Sequence, residues 1–210
     1  MKVDYRLYLV TDSTGLEENV FLDKIDRACK AGVTLVQLRE KDKTGREYIN
    51  LAFKVKEITD RYDVPLIIDD RLDVAMVIDA AGVHLGQNDI NIKYARKILG
   101  KDKIIGATTK NITQAKEAIE EGADYLGVGA IYPTTTKVKT VITEIETLNE
   151  ICNTVDIPVV AIGGLNAENC DILNKSKISG IAVVSAIMKE KDTENAVKKL
   201  LDKLMYINNL

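Results

Sequence analysis

The chain has one histidine, His84, in 210 residues. That scarcity removes most hydrolase chemistry built on a Ser-His-Asp triad, and most histidine-rich zinc sites. Either would have to be assembled around His84, and no partners stand beside it in a recognisable arrangement. Cysteine is almost as scarce. Cys29, Cys152 and Cys170 are odd in number, widely spaced and without a CxxC pair. They give no disulfide framework, read as buried structural thiols and point to the cytoplasm. Long apolar runs are missing too. A run such as 178–188 is broken by Ser and Gly and falls short of the ~18 residues that a membrane span needs. The N-terminal MKVDYRLYLV carries an acid at position 4 and enters a strand-like run, which does not read as a secretory signal. No charge dominates: 29 Lys plus Arg against 32 Asp plus Glu leave a formal net charge of −3. A general nucleic-acid binder would want a basic face, and the scattered tyrosines form no stacking stripe for single strands. The chemistry left to this chain rests on Asp, Arg, Lys, Thr, Ser and backbone amides.

What is present is a regular alternation. Apolar residues make up 46% and charged residues 29%, an ordinary globular balance in a length that suits a single domain over 1–210. Short Val/Ile/Leu-rich runs at 6–11, 35–39, 66–70, 82–85, 104–108, 125–130, 159–162 and 180–184 read as strands. They are mostly continuous rather than alternating, as expected of parallel strands covered on both faces. Helical patterns lie between them at 20–30, 46–61, 72–78, 92–99, 113–120, 144–152, 167–173 and 193–205. Ala31-Gly32-Val33, Ala81-Gly82-Val83 and Gly122-Ala123-Asp124 punctuate helix-to-strand turns, where glycine fits a left-handed helix end. Eight units of about 26 residues each predict a compact (β/α)₈ barrel. A Rossmann sheet is the weaker choice, because no GxGxxG follows the first strand. One Thr/Lys-rich stretch, PTTTKVKTVIT at 133–143, reads as a long loop of the kind that carries function.

In such barrels the chemistry collects at the C-terminal strand ends. Strand two ends in Gln37-Leu38-Arg39-Glu40-Lys41, strand three in Asp69-Asp70-Arg71, and strand four runs into Gly86-Gln87-Asn88-Asp89. Strand five ends in Thr108-Thr109-Lys110, strand six in Thr134-Thr135-Thr136-Lys137, strand seven in Gly163-Gly164 and strand eight in Val184-Ser185. Arg39, Lys41 and Lys137 are donors suited to phosphate oxygens. Asp70 and Asp89, from neighbouring strands, can share one Mg²⁺, which takes a few carboxylates together with waters and substrate phosphates. Gly163-Gly164 and Ser185, placed at the mouths of the seventh and eighth helices, form a second anion cradle without metal. Each piece has a plainer reading: a solvated turn for 39–41, an ion pair and helix cap for Asp70-Arg71, a turn for Gly163-Gly164, and a satisfied structural role for His84. Their joint occurrence at successive strand ends favours a site.

The motifs QLREK at 37–41, HLGQND at 84–89, DYLGVGAIYPTTTK at 124–137, AIGGL at 161–165 and AVVSAI at 182–187 resemble the thiamine phosphate synthase family. The resemblance runs over nearly the whole chain. It implies a TIM barrel that joins a pyrimidine diphosphate to a thiazole phosphate and releases diphosphate. By motif, Gln37, Leu38, Arg39, Glu40, Lys41, Asp69, Thr108 and Lys137 would hold the pyrimidine diphosphate, with Arg39, Lys41 and Lys137 as the catalytic cations. Asp70 and Asp89 would bind Mg²⁺. Thr134, Thr135, Thr136, Gly163, Gly164, Val184 and Ser185 would hold the thiazole phosphate. The partners implied are these small molecules, with no nucleic acid and no membrane; self-assembly into a homo-oligomer is left open. Three departures stand out. Asp69 replaces the family's usual Asn, Lys110 stands near a usual His, and Val138-Lys139-Thr140 replaces an acidic-Ala segment. Asp69 is expected to join the metal shell, with pairing to a base such as Arg71 or a retained proton as the alternatives. Two competing functions are a thiazole tautomerase-like barrel and a non-catalytic binder of a phosphorylated precursor. Intact QLREK and PTTTK motifs disfavour the first, and the Asp70/Asp89 pair disfavours the second.

Overall fold

The computed structural model describes residues 3–134 and 141–207. Parallel strands close into a barrel in chain order: β1 (Leu7–Val10), β2 (Leu35–Leu38), β3 (Leu66–Asp69), β4 (Gly82–Leu85), β5 (Ile104–Thr109), β6 (Tyr125–Gly129), β7 (Val159–Ile162) and β8 (Gly180–Val183). Closure is made by β1 against β8, with Tyr8 opposite Ala182. Every strand lies within two residues of its expected place. The helices are α1 (Glu18–Ala31), α2 (Gly45–Arg61), α3 (Leu72–Val77), α4 (Ile92–Leu99), α5 (Ile112–Glu120), α6 (Ile145–Thr154), α7 (Ser185–Met188) and α8 (Thr193–Tyr206).

Local signals account for the boundaries. Thr44 and Glu47 form a reciprocal capping box that starts α2. Asn91, Asn111 and Asp192 accept first-turn amides of α4, α5 and α8. Gly32, at φ 112°, ends α1 with its N–H turned back to the last carbonyls. One expectation is corrected here. The stretch 167–173 is not an α-helix; only a 3₁₀ turn, Cys170–Leu173, forms. The cause is local competition: the Asn166 side chain accepts from the Glu168 and Asn169 amides, and Asn169 accepts from the Asn166 amide.

Strand parity builds two apolar layers. Leu7, Leu9, Val36, Leu38, Ile68, Val83, Leu85, Leu126 and Val128 face outward into the layer beneath the helices. Tyr8, Val10, Leu35, Ile67, Tyr125, Val160 and Ala182 face inward and fill the barrel. At the end of the barrel opposite the strand C-termini, Arg96 of α4 ties two connections together, α4 to β5 and α5 to β6. Its guanidinium donates to the carbonyls of Gly100, Lys103 and Gly122 at 2.6–3.1 Å and to Asp124, which itself accepts the Ile105 amide. Arg96→Ala orphans several carbonyls at once. It is expected to cost about 2–3 kcal/mol of unfolding free energy in a urea titration, with kcat unchanged, because no member lies near the site.

Candidate active site

The inward positions near the strand C-termini carry polar groups in place of apolar ones. Gln37 and Arg39 follow Leu35 by steps of two, Asp69 follows Ile67, and Thr108 follows Gly106. Together with His84, Lys110, Thr134, Gly163, Gly164, Val184 and Ser185 they line one cavity of about 360 Å³. Leu38 has the other parity. Its side chain is buried in the outer layer and cannot touch a ligand in the barrel. Glu40 also points away, into a neighbouring polar cavity that it shares with Arg39 and Lys41. There it accepts from Ser13 at 2.8 Å, and burial raises its carboxyl pKa above the usual value.

The backbone around Arg39 is clamped. Its N–H donates to the buried Thr11 hydroxyl at 3.1 Å, and Tyr48 of α2 donates to the Leu38 carbonyl at 2.6 Å. The clamp aims the guanidinium across the rim, with Nε 3.8 Å from Asp69 Oδ2. Lys41 Nζ stands 2.6 Å from the same oxygen and also pairs with Asp70. Burial works against the Lys41 ammonium, but Asp69 and then Asp70 outweigh it and its pKa lies above the ordinary lysine value. Asp69 is pushed upward, first by burial and then by the Asp70 carboxylate, against the pull of Lys41 and Arg39. Arg71, considered from the sequence as its partner, is instead turned to Asp73 at 2.8 and 2.5 Å.

Asp70 occupies the left-handed region at φ 60°, an uncommon conformation for a non-glycine residue that turns the chain sharply at the end of β3. Its N–H donates to the His84 carbonyl at 2.9 Å, which ties β3 to β4 at this turn. Asp89 accepts the Gly86 amide at 2.7 Å. Burial raises the Asp89 carboxyl pKa, and the Asp70 carboxylate beside it raises it further. Asp70 and Asp89 are thus brought together as expected. Among the described residues, no group of three or more His, Cys, Asp or Glu side chains is gathered in a metal-holding arrangement.

Across the cavity, Gly163 and Gly164 take φ 103° and 68°. A Cβ at either would collide, 2.3 Å from Ala130 Cβ or 2.6 Å from Tyr132 Cβ, so glycine is required for the β6 and β7 ends to meet. Asn169 holds the turn by donating to the Gly164 carbonyl at 2.9 Å. No long helix opens at Gly163-Gly164, since only the 3₁₀ turn follows. Ser185 opens the short α7 rather than α8. Both corrections leave these residues on the cavity wall. Thr135, Thr136 and Lys137 lie outside the described residues, as does most of the 133–143 loop.

A family model described as thiamine monophosphate synthase matches residues 7–187. The chain belongs to the thiamine monophosphate synthase family. It is 54% identical over 202 residues to thiamine-phosphate synthase 2 of Streptococcus pneumoniae serotype 4, covering 96% of both chains. It is 50% identical over 207 residues to the thiamine-phosphate synthase of Methanobrevibacter smithii, covering 99% of both. A solved thiamine phosphate pyrophosphorylase from Pyrococcus furiosus superposes with TM-score 0.89 at 36% identity, covering 97% of each chain. As a member of this family, the chain is an enzyme of thiamine biosynthesis that forms thiamine phosphate. Within the synthase barrel, sequence reasoning missed Tyr8 and Tyr125 altogether and assigned His84 a merely structural part. All three line the cavity. Their inward parity was the available signal.

Proposed function

We propose that the substrates are 4-amino-2-methyl-5-(diphosphooxymethyl)pyrimidine and a thiazole phosphate, joined with release of diphosphate in the cytoplasm. The observation that carries this reading is the division of one cavity into two polar walls. Arg39, Asp69 and Thr108 line one side, and Gly163, Gly164 and Ser185 line the other. Arg39 and Lys41, with Lys137 from the loop, hold the diphosphate. Thr134, Thr135 and Thr136 join the glycine turn, Val184 and Ser185 on the thiazole phosphate. The three thiols are free and buried, which suits a reducing compartment. Among the described residues no helix is long and apolar enough to cross a membrane.

The residues present fit a divalent cation. Asp70 and Asp89 are adjacent carboxylates, burial and then the Asp70 carboxylate raise the Asp89 pKa, and a dication offsets that repulsion. Bound there, Mg²⁺ supplies positive charge that stabilises the departing diphosphate. The C–O bond to the exocyclic methylene breaks with its electron pair leaving on diphosphate. The aminopyrimidine ring delocalises the resulting cation, and the thiazole nitrogen lone pair forms the new C–N bond. No proton is transferred in either step, so the chain needs no general base. The apolar wall of Val10, Val160, Ile162 and Ala182 limits water near the cation.

The test is to mix both substrates with Mg²⁺ and follow thiamine phosphate and diphosphate. Equal amounts of the two are expected. Isomerisation of the thiazole phosphate alone, or binding without turnover, would overturn the reading. Ser185→Ala is expected to weaken thiazole phosphate binding by about 1 kcal/mol, about fivefold in KM, with the pyrimidine diphosphate KM unchanged. Equal weakening of both substrates would mean that the two anion sites are not separate.

A further inference from the structure

The floor of the cavity holds a continuous chain of hydrogen bonds. Gln37 Nε2 donates to the Tyr8 hydroxyl at 2.7 Å. Tyr8 and Tyr125 hydroxyls lie 2.9 Å apart. The Tyr125 hydroxyl is 2.9 Å from His84 Nδ1, and His84 Nε2 is 2.9 Å from Thr108 Oγ1. The chain therefore runs from β2 through β1, β6 and β4 to β5, across the inside of the barrel.

The strands are cut to accommodate it. A Cβ at Gly106 would lie 2.1 Å from Tyr125 Cζ, and one at Gly127 would lie 3.0 Å from His84 Cε1. Glycine at these strand positions leaves room for the two rings. Tyr5 packs tilted against Tyr125, with centroids 4.9 Å apart and planes at 40°.

Such a chain has a direction. Burial drives both phenol pKa values upward, so each hydroxyl keeps its single hydrogen. An amide nitrogen can only donate, so Gln37 gives to Tyr8. The arrangement that uses every hydroxyl hydrogen has Tyr8 give to Tyr125, Tyr125 give to Nδ1, and a neutral imidazole give its Nε2–H to Thr108. Two groups remain for a ligand: Gln37 Oε1 as acceptor and the Thr108 hydroxyl as donor. Turning either end around requires reversing every link between them, which makes the polarity cooperative.

We propose that Tyr8, Tyr125 and His84 are positioning residues that lock this polarity, so that the floor accepts the edge of a 4-aminopyrimidine and rejects a 4-oxopyrimidine. The inference rests on the substrate reading above. The amino compound offers an N–H beside a bare ring nitrogen, complementary to Gln37 Oε1 and the Thr108 hydroxyl. The oxo tautomer offers a carbonyl beside a ring N–H, the reverse pattern. Buried polar groups left facing their own kind are what make such discrimination large.

The test has two arms. In the first, kcat and KM are measured for the aminopyrimidine diphosphate and its 4-oxo analogue, at saturating thiazole phosphate, in wild type, Tyr8→Phe and Tyr125→Phe. Tyr8→Phe frees the Gln37 amide and leaves the Tyr125 hydroxyl without its donor; Tyr125→Phe cuts the chain in the middle. In both, the amino-over-oxo ratio of kcat/KM is expected to fall by at least about tenfold, with the thiazole phosphate KM unchanged. A fall by one common factor for both substrates, leaving the ratio intact, overturns the proposal in favour of simple packing. The second arm needs no turnover and so stands apart from the substrate reading. His84 is the single histidine of the chain, so ¹⁵N spectra of the untagged protein report one imidazole. The neutral Nε2–H form is expected in the wild type; an Nδ1–H or doubly protonated ring overturns the direction assigned here.

Discussion

Asp89→Ala is expected to lose about 100-fold or more in kcat at saturating Mg²⁺, the usual cost of removing one preorganised group that stabilises transition-state charge. The residue stands at an exposed turn after β4, so its loss opens no cavity in the core. Its carboxylate does two things there. It accepts the Gly86 amide, and it faces Asp70 closely enough that the Asp70 charge helps raise its pKa. Asp89→Asn separates these parts. The amide oxygen keeps the Gly86 contact but lacks the full charge that a dication needs, so its kcat should fall almost as far. Diphosphate release and a thermal melt on the same samples check the prediction. A variant with wild-type turnover, or a wild type indifferent to excess EDTA, would remove the cation from the mechanism. An inactive variant with a collapsed melt would place Asp89 among the structural residues instead.

The barrel was legible because its evidence is periodic and repeated. Eight apolar runs spaced by amphipathic patterns leave few alternatives, and glycines such as Gly32 mark helix ends. The failure at 167–173 is instructive. Its apolar spacing suits a helix, but Asn166 and Asn169 satisfy the local backbone first, and a four-residue 3₁₀ turn results. Much of the lining of the candidate cavity was legible for a different reason. Most strand ends carry a charged or hydroxyl residue, the seventh a Gly-Gly turn, and barrel geometry converts those ends into one rim.

The side-chain partnerships were not legible. Parity alone would have set Leu38 aside, since it follows Gln37 by one residue and must face the helices. The same parity would have placed Tyr8, His84 and Tyr125 inside the barrel. That they bond to one another depends on three strands from distant parts of the chain and on the space above Gly106 and Gly127. Asp69 shows the limit most plainly. Its neighbours in sequence offered Arg71, whereas the fold brings Lys41 and Arg39 from β2.

Lys41→Ala follows from that last arrangement and should lower kcat/KM for the pyrimidine diphosphate by about 100-fold or more, with the thiazole phosphate KM near wild type. Lys41 now neutralises Asp69 and Asp70 together. On the proposed reading, a dication bound at Asp70 and Asp89 would free the Lys41 ammonium for the diphosphate oxygens. Without it, Arg39 is the described cation left beside Asp69. The variant should also carry a pH signature in stability. The Asp69 pKa already lies above its unfolded value because of burial and Asp70. A carboxyl raised on folding binds more protons in the native state, so its destabilising effect is absent below the unfolded pKa and grows as pH rises toward and through the folded one. Removing Lys41 takes away a principal influence that lowers the Asp69 pKa. The folded value moves further up, and the loss becomes larger at neutral pH. The difference in melting temperature between wild type and Lys41→Ala should therefore be wider at pH 7.5 than at pH 4. Lys41→Arg should restore most of the neutral-pH stability, because a guanidinium supplies the same charge to both carboxylates. A difference that stays constant across this range would show that Asp69 does not feel Lys41, and would move the lysine's role wholly to the substrate.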